Sequence, residues 1–319
     1  IVTSFWNSTN TGLDVIVPID NDSTLDSGRV QLFAKTGENI FEILGGYEFI
    51  LPNEVNFTKE ISINRDYIEA ITDYGQDEII TIRAIIYDIP GNQVTGTESS
   101  SYLTIEETLP TINYLSYSSN FSDTTLATVG HEITIIMRTN EAIQEPAALI
   151  STNVAQINDI GNNRWDCKYI MQEEDSEGPI SFEISEITDL AGNPNDGTSL
   201  TTDGSVVIFD NTKPTLNSVM IKSDNLDSTW AKVGDTISVI FISDELLTEQ
   251  VVTITEQNTI LTDLGLEKYL ATYAMTNNDL EGEIDFQITV TDSVGLISEP
   301  ISETTNESAV IFDKTLPQL

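Results

Sequence analysis

Ser119-Asn-Phe-Ser-Asp-Thr-Thr-Leu-Ala-Thr-Val-Gly130 returns as Ser223-Asp-Asn-Leu-Asp-Ser-Thr-Trp-Ala-Lys-Val-Gly234, an offset of 104 residues from glycine to glycine (130 to 234). Self-similarity at a fixed period of this length marks an array of units rather than one core. The same offset carries Ile133-Thr-Ile-Ile-Met137 onto Ile237-Ser-Val-Ile-Phe241 and Glu141 onto Glu245. Unit ends echo three times, as Thr108-Leu-Pro110, Asp210-Asn-Thr-Lys-Pro214 and Asp313-Lys-Thr-Leu-Pro317. The expected units are therefore 1–108, 109–212 and 213–315, with 316–319 opening a further repeat of a longer protein.

Within the units the apolar period is two. Leu13, Val15, Val17 and Ile19 alternate in the first unit, Ile133, Ile135 and Met137 in the second, and Ile237, Val239 and Phe241 in the third. Short alternating runs bounded by Gly, Asn, Asp and Ser clusters, about 100 residues to a unit, predict antiparallel β-sandwiches. The first unit diverges. It keeps Asp88-Ile-Pro-Gly-Asn92, which parallels Asp189-Leu-Ala-Gly-Asn193, but its front half differs and predicts a helical turn over Arg65–Ile71. Each junction proline follows a strand-like run, where it cannot extend the ladder and so marks the handover between units. The linkers are short and lack Gly/Ser tracts, which predicts a semi-rigid, elongated array.

The 319 residues carry 52 Asp+Glu against 13 Lys+Arg, a net charge of −39, yet 39% are hydrophobic. That apolar share argues for folded cores over an acidic disordered chain. So few bases cannot neutralise phosphates, which excludes a nucleic-acid partner. No apolar run approaches the 18 or so residues of a membrane span, so direct membrane insertion is not expected. The single cysteine permits no intrachain disulfide.

The Asp-x-Thr-x-Pro-Thr junction at 210–215, Ala-Lys-Val-Gly-Asp at 231–235, Glu245 at a strand end and Asp-x-Ala-Gly-Asn at 189–193 resemble the immunoglobulin-like tandem repeats of large bacterial and archaeal cell-surface proteins. The second and third units carry the resemblance; the first shares only the Asp/Gly/Asn loop and the junction. The third departs from it at Asp292-Ser-Val-Gly-Leu296, where the pattern ends in Asn. The resemblance implies an all-β fold of three tandem immunoglobulin-like sandwiches, a place outside the cell in an adhesin or surface layer, and often calcium.

Catalytic chemistry finds little material. His131 is the only histidine and has no partner of its kind, so an exposed loop residue is expected. Cys167, in Trp165-Asp-Cys-Lys, is expected to be a buried inert thiol. Neither a nucleophile elbow nor a phosphate loop nor a zinc-protease motif occurs, and the chain is not expected to be an enzyme. The 52 acids suit calcium, which takes six to eight oxygens and needs neither His nor Cys.

In an immunoglobulin-like topology the loops after strands B and F share the end where the chain enters. Glu141 and Glu245 follow strand B, and Asp189, Asn193 and Asp292 follow strand F. The preceding linkers add Glu106 or Glu107 at the first junction and Asp210 at the second. Two calcium sites are expected: Glu106 or Glu107 with Glu141, Asp189 and Asn193, and Asp210 with Glu245 and Asp292. Asp123 and either Glu174 or Asp175 are expected to approach the second junction from the opposite side. The alternative is that these acids are solvated surface groups keeping the protein soluble.

Asn-x-Ser/Thr sequons at Asn7, Asn21, Asn56, Asn120 and Asn306 are candidate glycosylation sites. Three function classes follow. The first is a structural stalk, filament or lattice segment whose partners are neighbouring repeats or copies of the same protein. The second is an adhesin module binding glycans or another cell surface, with Trp6, Trp165 and Trp230 as candidate contacts, although Trp230 takes the place of Leu126 in the repeat and is expected to pack. The third is an accessory region of a secreted enzyme.

Overall fold

A computed structural model describes residues 4–318; residues 1–3 of the expected first unit, and Leu319 in the expected opening of a further repeat, lie outside the described residues. Strands dominate, and among the described residues helix is confined to the single turns Arg65–Glu69 and Ser23–Leu25. The first of these begins where the Asn64 side chain accepts the Tyr67 N–H, the usual cap on an unpaired first-turn donor. Among the described residues no helix is long and apolar enough to cross a membrane.

The chain forms two compact units. One comprises Ile1–Tyr117, Thr134–Tyr169 and Ser181–Ser205; the other comprises Ser118–Ile133, Ile170–Ile180 and Val206–Leu319.

In the first unit a sheet runs in the order Phe5–Trp6, Leu103–Ile105, Ile79–Tyr87, Arg29–Thr36, Glu42–Phe49, with Gln93–Thr95 added along Ile79–Tyr87. It packs over the pair Gly12–Pro18 and Thr58–Asn64, which are in register over seven residues. Trp6, Leu32, Leu44, Ile61, Ile68, Ile80 and Ile105 fill the space between. The same unit holds most of a sheet in the order Gln156–Asp159, Arg164–Ile170, Glu132–Thr139, Ile112–Ser119, and all of another in the order Asn153–Val154, Ala147–Ile150, Phe182–Ser185.

The second unit repeats that design. Its four-stranded sheet is ordered Ile260–Asp263, Lys268–Ala274, Thr236–Ser243, Leu216–Ser223, each strand 104 residues on from its counterpart (112 to 216, 156 to 260). Gln257–Asn258, Glu249–Ile254 and Phe286–Thr291 form the facing sheet. Ile237, Val239 and Phe241 alternate inward from the central strand onto Ile254, Ile288 and Val290, as period-two patterning requires. Phe5–Trp6, Leu126–Ala127 and Trp230–Ala231 each run parallel to a short last strand, at Leu103–Ile105, Ile208–Phe209 and Ile311–Phe312 respectively. The fold is all-β, built of immunoglobulin-like sandwiches.

Candidate metal centres

Each last strand ends one residue before a carboxylate. Ile105 is buried against the parallel Trp6 strand, and the Glu106 N–H donates to the Trp6 carbonyl. Phe209 is buried in the same way, and the Asp210 N–H donates to the Ala127 carbonyl. Packing of the apolar residue thus fixes where its acidic neighbour begins.

In the first unit Glu106, Glu141 and Asp189 come together, one carboxylate oxygen of each lying within 4.8 Å of the others. Glu141 follows the strand Glu132–Thr139, where the Thr139 hydroxyl donates to its carbonyl at 2.6 Å and Asn140 Nδ2 donates to its Oε1 at 3.0 Å. Asp189 closes its own loop. Its Oδ1 accepts the N–H groups of Gly192 and Asn193 at 2.6 and 2.8 Å, and Gly192 at φ 97° supplies the left-handed turn. Burial pushes the Glu106 carboxyl up, and sharing a hydrogen bond with Asp189 pushes it further.

Asn193 is buried in this group. Its Oδ1 accepts the Ser8 N–H at 2.7 Å, while its Nδ2 donates to Asp189 Oδ2 at 2.8 Å, to the Glu106 carbonyl at 3.0 Å and to Glu106 Oε2. Glu107, the alternative to Glu106, is drawn off by an ion pair with Arg65. Adjacent residues of an extended chain point to opposite sides, so one of the two had to leave.

In the second unit Asp210, Glu245 and Asp292 meet within the same 4.8 Å. Asp292 Oδ1 accepts the Val294 and Leu296 N–H groups, both at 2.9 Å. Asp292 is 0% exposed and its Oδ2 has no hydrogen-bond partner. Burial pushes Glu245 up to about 7, and the charges of Asp210, Asp292, Asp244 and Glu177 add to the shift. Burial likewise raises Asp210, with Asp292 and Glu177 contributing. Like charges this close repel by about 1 kcal/mol per pair even in water, and by more when dehydrated. A hard divalent cation reverses that sign, and three carboxylates leave room for backbone carbonyls and water to complete a calcium shell.

Glu177 stands near this set and contributes its charge to the Glu245 and Asp210 shifts. Its Oε1 accepts the Asn211 N–H at 3.1 Å and the Thr212 hydroxyl. Glu281 does the same for the Lys314 N–H and the Thr315 hydroxyl, at 2.9 and 2.7 Å. The recurrence of Glu-Gly ahead of Asp-x-Thr was the signal that could have found this linker clasp.

Of the acids expected to approach from the opposite side, Glu174 is exposed, and Asp123 and Asp175 are engaged locally. Asp123 Oδ1 accepts the Thr125 N–H and hydroxyl, which lowers its pKa, and Asp175 Oδ2 accepts the Gln172 N–H. His131 is half-buried rather than exposed: its Nδ1 accepts the Thr128 N–H at 2.9 Å, and its ring lies 4.9 Å from Phe121. Cys167 is buried, its thiol pushed up to about 12 by burial and then by the Asp166 charge. Trp6 and Trp165 are core residues, whereas Trp230 is 45% exposed instead of packed. Of the sequons, Asn7 is only 2% exposed and donates Nδ2 to the Ala191 carbonyl, so its nitrogen is not open to a glycan in the fold. Asn21, Asn56, Asn120 and Asn306 are exposed.

No family model and no curated protein matches the chain. Solved structures similar to it include that of a 1.5-MDa bacterial ice-binding adhesin, at 14% identity over 93% of this chain and 98% of that one, with a TM-score of 0.46. Another is a Ca2+-stabilised adhesin that helps an Antarctic bacterium bind ice, at 13% identity, 96% and 75% coverage and a TM-score of 0.46. A third, of domains from titin, has 12% identity, 95% and 97% coverage and a TM-score of 0.29. Identities this low carry nothing about function.

Proposed function

We propose that the chain is a non-catalytic structural segment of a long extracellular or cell-surface protein. In this reading it is a stalk, filament or lattice component of three tandem modules, 1–108, 109–212 and 213–315, stiffened by calcium on converging carboxylates. The observation that carries it is the set Asp210, Glu245 and Asp292, three acids from distant points of the sequence that meet around a buried, unpartnered oxygen. Such a group is costly to bury and is retained where a cation compensates it. Calcium that binds only the assembled set stabilises it by mass action, about 2.7 kcal/mol at a hundredfold excess over the dissociation constant. The sandwich cores are apolar in their own right, so removing calcium loosens the linkers before it melts the sandwiches.

The test is to measure maximum dimension by solution scattering and melting temperature by calorimetry, with millimolar calcium and again with chelator. Equal stiffness and stability in both would leave the acids as solvated surface groups and end the reading. A second reading, an adhesin face, has one observation in its favour. Phe49, Arg29 and Tyr87 stand side by side across three strands, the Arg29 guanidinium lying 4.6 Å from the Tyr87 ring centre. Aromatic and guanidinium planes of this kind suit sugar rings, and a glycan array separates the two readings.

A further inference from the structure

Three loops of the chain share one backbone design. Asp88, Asp189 and Asp292 each donate their own N–H to the carbonyl four residues on, at 3.0, 3.1 and 3.1 Å. In each loop the aspartate Oδ1 accepts two backbone N–H groups of the turn. The fourth residue of each is glycine, at φ 96°, 97° and 90°. What differs is the fifth residue. Asn92 donates Nδ2 to Asp88 Oδ2 at 2.8 Å, and Asn193 donates Nδ2 to Asp189 Oδ2 at the same distance. The third loop ends in Leu296, whose side chain has no donor to offer, and Asp292 Oδ2 is left buried and unpartnered.

The Asn193 amide cannot turn round to offer oxygen instead. The Ser8 backbone N–H can only donate, so Oδ1 must face it and the NH2 group must face the carboxylates. Its hydrogens lie between Asp189 and Glu106, in the place a cation would take. Gln76 Nε2 and the Thr108 N–H also satisfy Glu106 Oε1, at 2.9 and 3.0 Å. This set is closed by protein donors, further tied by Asn7 on the Ala191 carbonyl.

We infer that the fifth loop residue decides which carboxylate set takes a divalent cation: Leu296 leaves Asp210, Glu245 and Asp292 open to one calcium ion, and the Asn193 amide closes Glu106, Glu141 and Asp189 against another. The inference rests on the calcium reading above but makes a separate claim, that the two sets are unequal and that one side chain sets the difference. Asn193, expected from sequence as a ligand, is then the substitute for the ion.

The experiment is calcium titration of the whole chain by isothermal calorimetry at physiological ionic strength, where weak surface binding is screened. Wild type is expected to show one strong site. Leu296→Asn, in a half-exposed position that tolerates a polar side chain, is expected to weaken that site about 10–100-fold, the usual effect of altering what surrounds a ligand. Asn193→Ala and Asn193→Leu are expected to add a second site, with circular dichroism checking that each remains folded. Two equal strong sites in wild type, or an unchanged site in Leu296→Asn, would overturn the inference while leaving the calcium reading intact. No strong site in wild type would overturn both. The wild-type count and Leu296→Asn decide the matter even if both Asn193 variants fail to fold.

Discussion

Replacing Glu245 by Gln removes one charge from the second carboxylate set, and the sign of its effect on stability is expected to depend on calcium. Without the cation, Glu245 is held at about 7 against an ordinary value of 4.5. A carboxyl whose folded pKa lies above its unfolded one adds stability below pH 4.5, and that stability is lost as pH rises through 7. At pH 8 the ionised group costs the fold at most about 3 kcal/mol. Solvent reaches Glu245 and screens its neighbours, which reduces the cost to about 1 kcal/mol. Glu245→Gln in chelator is therefore expected to stabilise the second unit by about 1 kcal/mol, or about 2–4 °C in melting temperature. In calcium at a hundredfold excess the wild type gains about 2.7 kcal/mol. The variant has lost a charged ligand and gains little, so the order of stability inverts. The assay is differential scanning calorimetry of both proteins at pH 8, with chelator and with calcium. A variant less stable than wild type in chelator, or equally stabilised by calcium, would refute the reasoning.

Ile135→Ala and Val239→Ala each truncate a side chain that is 0% exposed, and each is expected to cost about 2–4 kcal/mol. Because Ile135 belongs to the first unit and Val239 to the second, hydrogen exchange is expected to localise each loss to its own unit; equal losses in both would mean one cooperative core. Calcium affinity is expected to fall below pH 7, about tenfold per pH unit at most, as protons compete for Glu245 beside Asp210, Asp292, Asp244 and Glu177; an affinity flat from pH 5.5 to 8 would contradict this. Glu177→Ala removes the acceptor for the Asn211 N–H and the Thr212 hydroxyl and is expected to cost about 1 kcal/mol, with faster exchange of the Asn211 amide; unchanged protection there would deny the clasp.

The architecture was legible because sandwiches write themselves in short-range terms: alternation at 133–137 and 237–241, and a 104-residue echo that places equivalent strands. Convergence of Asp210, Glu245 and Asp292 was legible one step further on, since loop order in the sandwich puts those three at one end. Local competition was not. Glu106 and Glu107 are adjacent acids on an extended segment, and what separates them is Arg65, 42 residues before Glu107, whose guanidinium pairs with Glu107. Asp123 reads as a free acid, yet the threonine two places on supplies both an N–H and a hydroxyl to it. Asp22 and Asp227 are held in the same way by Thr24 and Thr229. The orientation of the Asn193 amide depends on the Ser8 N–H, a long-range partner that no spacing rule identifies.

The three Asp-x-x-Gly-x loops show how the turn can stay the same while the cation chemistry proposed above varies. The turn is closed by aspartate Oδ1, two backbone N–H groups and a left-handed glycine, none of which involves the fifth side chain. That side chain is therefore free to change without breaking the turn. At 88–92 the loop is exposed and Asn92 completes a hydrogen-bonded ring that needs nothing else. At 189–193 the same ring is buried beside Glu106, so the amide that completes the loop also donates a hydrogen bond to the linker acid. At 292–296 the amide is missing while the burial remains, and one oxygen's hydrogen-bonding capacity is left over. An unpaired buried carboxylate oxygen is a cost the backbone does not require, because the 88–92 loop shows how a single Asn removes it. Its presence beside Asp210 and Glu245 is what an ion-dependent linker needs and a purely solubilising surface does not.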